Sequence, residues 1–206
     1  MTTTETNQRS PWLLPILAIA LLLNGCSGGP TTPVRYFLID PVPLQALQPA
    51  ETSGLAIEIL DLQLPQYLDR PHIVSRSGDN ELLFSSTHQW AGNLRKNLAG
   101  TLQRNLSQLL ATADISSPYA RSGSHPDFRV ILHLHAFERG ADHRARIEAR
   151  WQIADARNGQ IVQTRQLQLT AEEQTPDPAE GIEALQQLFA ELSRQIARSI
   201  IEPVGD

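Results

Sequence analysis

Three sets of side chains in this sequence have the type and spacing to do chemistry. The first is a lone thiol, Cys26, closing the run Leu23-Asn24-Gly25-Cys26. Thirteen apolar-leaning residues, Pro11 to Leu23, run into it, and the small polar stretch Ser27-Gly28-Gly29-Pro30 follows. A leader with Arg9 and the amino terminus against Glu5, a short apolar stretch and a small residue before the cleavage point have the layout of a bacterial lipoprotein signal. Cleavage there makes Cys26 the first mature residue. Its thiol is then diacylated and its amine acylated in turn, with fatty chains such as palmitate. Each buried methylene contributes roughly 0.8 kcal/mol, and two or more chains anchor stably where one does not. Asn24 departs from the Ala, Ser, Thr or Val usual at its position. A spanning helix needs about 20 apolar residues; this run is shorter and holds Pro11 and Pro15. An ordinary secretory signal would leave an unpaired thiol without a role in an exported chain.

The second set is His133-Leu134-His135. Alternate residues of a strand share a face, so two imidazoles could bite one metal ion, but zinc sites take three or four convergent ligands. Asp127 and His143, the nearest further candidates, have no motif spacing. Two histidines on a solvent-facing sheet face is the simpler reading. The third set is basic: Arg144, Arg146 and Arg150 along one run, with Arg129 on its neighbour. They read either as the wet face of a one-sided antiparallel sheet or as a docking surface for an acidic partner or anionic headgroups. Tyr67 and Leu68, in the proline-bracketed loop Leu64–Pro71, are candidates for a hydrophobic interface tip. Nucleophilic catalysis has no Gly-x-Ser-x-Gly elbow to rest on. Ser27-Gly28-Gly29 is linker and not a phosphate-cradling turn, and Glu172-Glu173 lie in a polar stretch. No catalytic residue, metal ligand or cofactor other than the lipid on Cys26 is assigned.

Composition narrows the class. With 41% hydrophobic and 19% charged residues, the chain is neither disordered nor membrane-embedded. A net charge of −5 without an Arg/Lys-rich run gives no electrostatic case for nucleic acid. Roughly 180 residues remain after processing, which suits one domain. The expected organisation is signal peptide over 1–25, lipidated linker over 26–33 and a single periplasmic domain over 34–206. With no second cysteine there is no disulfide, so folding rests on the core.

The elements that must position these residues follow from periodicity. Val34–Ile39 and Leu55–Leu60 read as strands, and His72–Arg76 with Glu81–Phe84 as a hairpin. Ser85, Ser86 and Thr87 offer N-caps to a helix whose stripe is Trp90, Leu94, Leu98, Leu102 and Leu106, ending at Leu109 and Leu110. Ala113–Asp127 is loop-like with a brief strand near Ile115. Phe128–Phe137, His143–Ile153 and Ile161–Leu169 alternate as a β-meander, with Gly140 and Asn158-Gly159 in its turns. Its apolar face collects Phe128, Val130, Leu132, Leu134, Ile147, Ala149, Trp151 and Ile153; Glu148, the histidines and the arginines take the other. A final helix carries Ile182, Leu185, Phe189, Leu192, Ile196 and Ile200, with Pro203 beyond it. The predicted fold is α+β: a mostly antiparallel sheet with two amphipathic helices packed on one face.

Several segments carry a family resemblance: Tyr36-Phe37-Leu38; Ile57 through Leu64-Pro65-Gln66-Tyr67-Leu68-Asp69-Arg70-Pro71; Gln89-Trp90-Ala91-Gly92-Asn93-Leu94; Asn105 to Leu110; and Asp127-Phe128-Arg129-Val130 running on to Ala149–Ile153. Together they resemble the PqiC-like, ABC-type transport auxiliary lipoproteins over nearly the whole mature chain. The resemblance implies a non-enzymatic, outer-membrane, periplasm-facing subunit of a system that carries phospholipids between membranes. Its implied partners are a tunnel-forming MCE-domain protein and an inner-membrane protein, and ring-like self-assembly would suit a tube end. Ser27 is compatible with outer-membrane export. Two other readings stay open on the residues: a periplasmic metal-dependent hydrolase centred on His133 and His135, and an outer-membrane assembly lipoprotein.

Overall fold

β-Branched and aromatic runs bounded by Pro, Gly and Asn pair into one eight-stranded sheet in the computed structural model. The model describes residues 32–47, 52–78, 80–121, 123–174 and 177–202. The chain divides into a unit Met1–Pro33 and a folded unit Val34–Asp206; Cys26 and its signal lie outside the described residues. In chain order the folded unit runs β1 (Arg35–Phe37), β2 (Ile57–Gln63), a 3-10 turn (Gln66–Leu68), β3 (His72–Arg76), β4 (Leu82–Trp90), α1 (Leu94–Leu110), β5 (Ile115–Ser116), β6 (Phe128–Arg139), β7 (Ala145–Asp155), β8 (Ile161–Thr170) and α2 (Pro178–Ile201). The β6–β7–β8 meander forms as the alternation predicts, and Gly159 takes the left-handed φ of 74° that its turn requires. The longest ladders are antiparallel, while β2 lies parallel to β6, β5 parallel to β2 and β1 parallel to β4.

The start of the first helix differs from the sequence expectation. Ser85, Ser86 and Thr87 do not cap it; β4 continues through them to Trp90, and α1 begins at Leu94. The Ser85 hydroxyl does accept from the backbone N–H groups of Thr87 (3.3 Å) and His88 (3.0 Å). That capping chemistry is used in an irregularity where β4 bulges against β3, between His72 and Val74. Long-range ladder bonds then keep the chain extended: Trp90 N–H donates to Pro71 (2.7 Å) and Ala91 N–H to Phe37 (2.8 Å). The working cap is Asn93, whose side chain accepts from Lys96 N–H at 2.9 Å. Trp90 is buried from the strand, its ring 6.1 Å from that of Phe137.

Both helices lie against the sheet face that carries Val130, Leu132, Leu134, Ile147, Ala149, Trp151 and Ile153, all buried. From α1 come Leu94, Leu98, Leu102, Leu106, Leu109 and Leu110, and from α2 Ile182, Leu185, Phe189, Leu192, Ile196 and Ile200. Full burial of one such side chain is worth about 1.5–3 kcal/mol, so each stripe is sufficient reason for its helix to dock. Polar groups fix the register. Asn105 donates to Ser193 across the helices (3.0 Å) and Trp151 Nε1 to Ser199 (3.1 Å). The Asn97 side chain brackets the backbone of Ile39, and the Thr101 hydroxyl donates to the Ile39 carbonyl (2.6 Å). These bonds hold the segment after β1 on α1. Among the described residues no helix is long and apolar enough to cross a membrane.

Candidate functional site

The sheet face opposite the helices carries the histidines and arginines, and a register slip in β6 divides it. Up to Leu134 every second residue faces the helices, and Leu134 lies opposite Ala149. Between Leu134 and Ala136 the ladder shifts by one residue, leaving His135 without an opposite number. This bulge inverts the phase. Phe137, opposite Ile147, then enters the core, while Ala136 and Glu138 join the outer face opposite Glu148 and Arg146. Beyond the slip that face is no longer wet: Ala136 is buried and Glu138 is 0% exposed.

What covers this end is the connection between β2 and β3. β2 pairs with β6 only as far as His133, and β3 meets β6 again at Arg139, so the chain from Leu64 to Pro71 crosses the gap. Its Tyr67 hydroxyl donates to the carbonyl of His135 at 3.3 Å, using the acceptor beside the bulge. The Glu138 carboxylate receives Arg76 Nε from β3 and Arg146 Nη2 from β7, the latter at 3.1 Å. Burial, and then the neighbouring Glu138 carboxylate, hold the Tyr67 hydroxyl above the ordinary tyrosine value. Glu138 likewise holds the Arg76 guanidinium above its ordinary value. One acid thus ties three elements together. Lone buried carboxylates are costly, and two cations that share one oxygen of Glu138, Oε1, offset part of that cost.

At the other end the face is open. His133, Arg150 and Gln166 lie opposite one another across β6, β7 and β8. Arg150 is exposed and has no ionic partner among the described residues. Arg129 differs: it donates to Glu58 (2.8 Å) and to the carbonyl of Ala156 (3.3 Å).

The residues singled out by sequence therefore separate. Arg146 and Tyr67 belong to the closed end, Arg150 and His133 to the open end, and His135 to the bulge between them. Arg144 lies in the turn before β7, where its N–H donates to Asp142 (3.2 Å). Leu68 is not the exposed tip that the loop composition suggests. The 3-10 turn, closed by Leu68 N–H to the Pro65 carbonyl (2.9 Å), rolls it into the core at 1% exposure. Among the described residues no three His, Cys, Asp or Glu side chains converge as metal ligands. Glu138 is the residue that sequence reasoning passed over. Its signal is the break in alternation between Leu134 and Phe137, which demands a bulge.

A second concavity, a groove of about 620 Å3, runs along the exposed face of α1. Lys96, Gly100, Gln103 and Arg104 floor it, with Leu38 and Tyr119 also lining it.

A family model described as an ABC-type transport auxiliary lipoprotein component matches residues 36–197. The crystal structure of an uncharacterized protein superposes with a TM-score of 0.66 at 22% identity, covering 82% of this chain and 99% of that one. Protein XCC0632 from Xanthomonas campestris superposes with a TM-score of 0.62 at 17% identity, over 80% of this chain and 89% of its own. These likenesses show the fold. No curated protein matches this chain.

Proposed function

Because the chain belongs to the ABC-type transport auxiliary lipoprotein family, we propose that it is the outer-membrane-anchored, periplasm-facing subunit of an MCE-type intermembrane phospholipid transport system. In this reading it is a binding module and not an enzyme. Cys26 carries the lipid, and the folded unit receives the far end of a tunnel-forming MCE-domain protein whose inner-membrane partner lies at the other end. Self-assembly of several copies would match a tube's symmetry. The observation that carries the reading is the family match over residues 36–197, which runs from β1 through most of α2. The open end of the outer sheet face supports it, because Arg150 beside His133 offers positive charge that has no ionic partner among the described residues.

The test is crosslinking and affinity capture of the native lipidated protein from membranes, with Cys26→Ser as control. The expected result is recovery of an MCE-domain protein that is lost or mislocalised in the control. Recovery of outer-membrane assembly factors without any MCE-domain protein would overturn the proposal.

A further inference from the structure

An exposed apolar stripe stands where the folded unit meets its linker. Val34, Tyr36 and Leu38 are 39%, 64% and 47% exposed, whereas Ile39 is fully buried and Phe37 is half-buried. Alternation along an extended segment puts the three on one side. Among the described residues β1 pairs only with β4, so this segment is an edge of the sheet. An unfilled apolar edge is a liability that folded proteins blunt with charge, proline or a covering element. Here it is left bare and the segment behind it is pinned, by the Asn97 and Thr101 bonds to Ile39. A rigidly held, uncovered apolar stripe is built to be covered by something else.

We infer that Val34, Tyr36 and Leu38 seat the folded unit on the phospholipid bilayer that holds its anchor. The inference rests on the anchoring of Cys26 proposed above. Tether length argues for the bilayer as occupant. Eight residue steps separate Cys26 from Val34, and at about 3.5 Å each they reach no more than about 28 Å. A surface so tethered meets the membrane at high effective concentration before it meets any diffusing partner. The chemistry agrees. Tyrosine has an apolar ring and a polar tip, the combination enriched where hydrocarbon meets headgroups. A cation borders the stripe: Lys96, exposed and without an ionic partner among the described residues, lines the same groove as Leu38. Positive charge beside apolar surface suits anionic headgroups.

The experiment uses the full lipidated chain in vesicles of phosphatidylethanolamine and phosphatidylglycerol whose acyl chains carry bromine. A thiol-reactive fluorophore is placed at Tyr36→Cys, at Leu38→Cys, or at the exposed Gln168→Cys on β8, the opposite edge of the sheet; acylation blocks Cys26 from labelling. The expected result is loss of emission at positions 36 and 38, with emission at 168 retained. Equal emission at all three positions in acylated, vesicle-bound protein overturns this inference and leaves the anchor standing. Shielding of 36 and 38 from aqueous iodide without quenching by bromine also overturns it, because a protein surface then covers the stripe. A chain that takes label on Cys26 itself and does not float with vesicles overturns the anchoring reading and this inference together.

Discussion

Arg146 and Arg150 are four residues apart on β7, point to the same side of the sheet and read identically in the sequence, yet they stand in different physical worlds. Arg146 donates to a carboxylate that is 0% exposed, under a connection that closes over it. Arg150 faces solvent opposite His133, without a counter-charge among the described residues. The boundary between them is the bulge at His135. One ladder face is thus half structural rivet and half free surface, and a like-for-like substitution should report stability at one end and partner binding at the other.

The closed end should show the largest effect when both cations are removed. Arg76→Ala with Arg146→Ala leaves Glu138 buried without compensation, and urea unfolding should show a loss of about 3–5 kcal/mol. An unchanged midpoint would mean that Glu138 is not held as described. Arg146→Ala alone leaves Arg76 in place, and because Arg146 is 31% exposed the loss should be smaller, about 1–3 kcal/mol. Tyr67→Phe removes only the hydroxyl that meets the His135 carbonyl and should cost about 1 kcal/mol.

The same substitution carries a pH signature. A hydroxyl held above its ordinary value keeps its proton in the folded state while the unfolded chain releases it. The contribution of Tyr67 to stability is therefore undiminished below pH 10, the ordinary tyrosine value, and falls as pH rises from there toward the folded value. Tyr67→Phe should flatten that alkaline decline in urea titrations at stepped pH. At the open end, Arg150→Glu should change stability by less than about 0.5 kcal/mol while lowering recovery of the MCE-domain partner in crosslinking capture. Normal recovery would remove the open end from the docking surface.

Much of the fold was legible because its signals are local. The meander came from strict alternation and from Gly140 and Asn158-Gly159 in the turns. Both helices came from stripes with a spacing of three and four, and these stripes are buried as expected. The sequence pattern puts the start of the first helix too early because Ser85 makes the same local bonds in a bulged strand as in a helix cap. Trp90 added to the error, since a buried residue four before Leu94 fits either element. The sequence puts Leu68 on the surface because prolines and polar neighbours mark a loop without saying which of its side chains turns inward.

The sequence by itself determined most of the elements, the core stripes, the thiol context of Cys26 and the family, because each depends on residue order over short windows. Tertiary structure decided which polar residues remain on the surface. A single unpaired residue at His135 changes the facing of everything after it, so Glu138 is buried only because β3, β7 and the Tyr67 connection converge there from 62, 8 and 71 positions away along the chain. Charge at Arg146 and at Arg150 is the same in composition. What differs is the solvent left beside each, and that is a property of the packed chain.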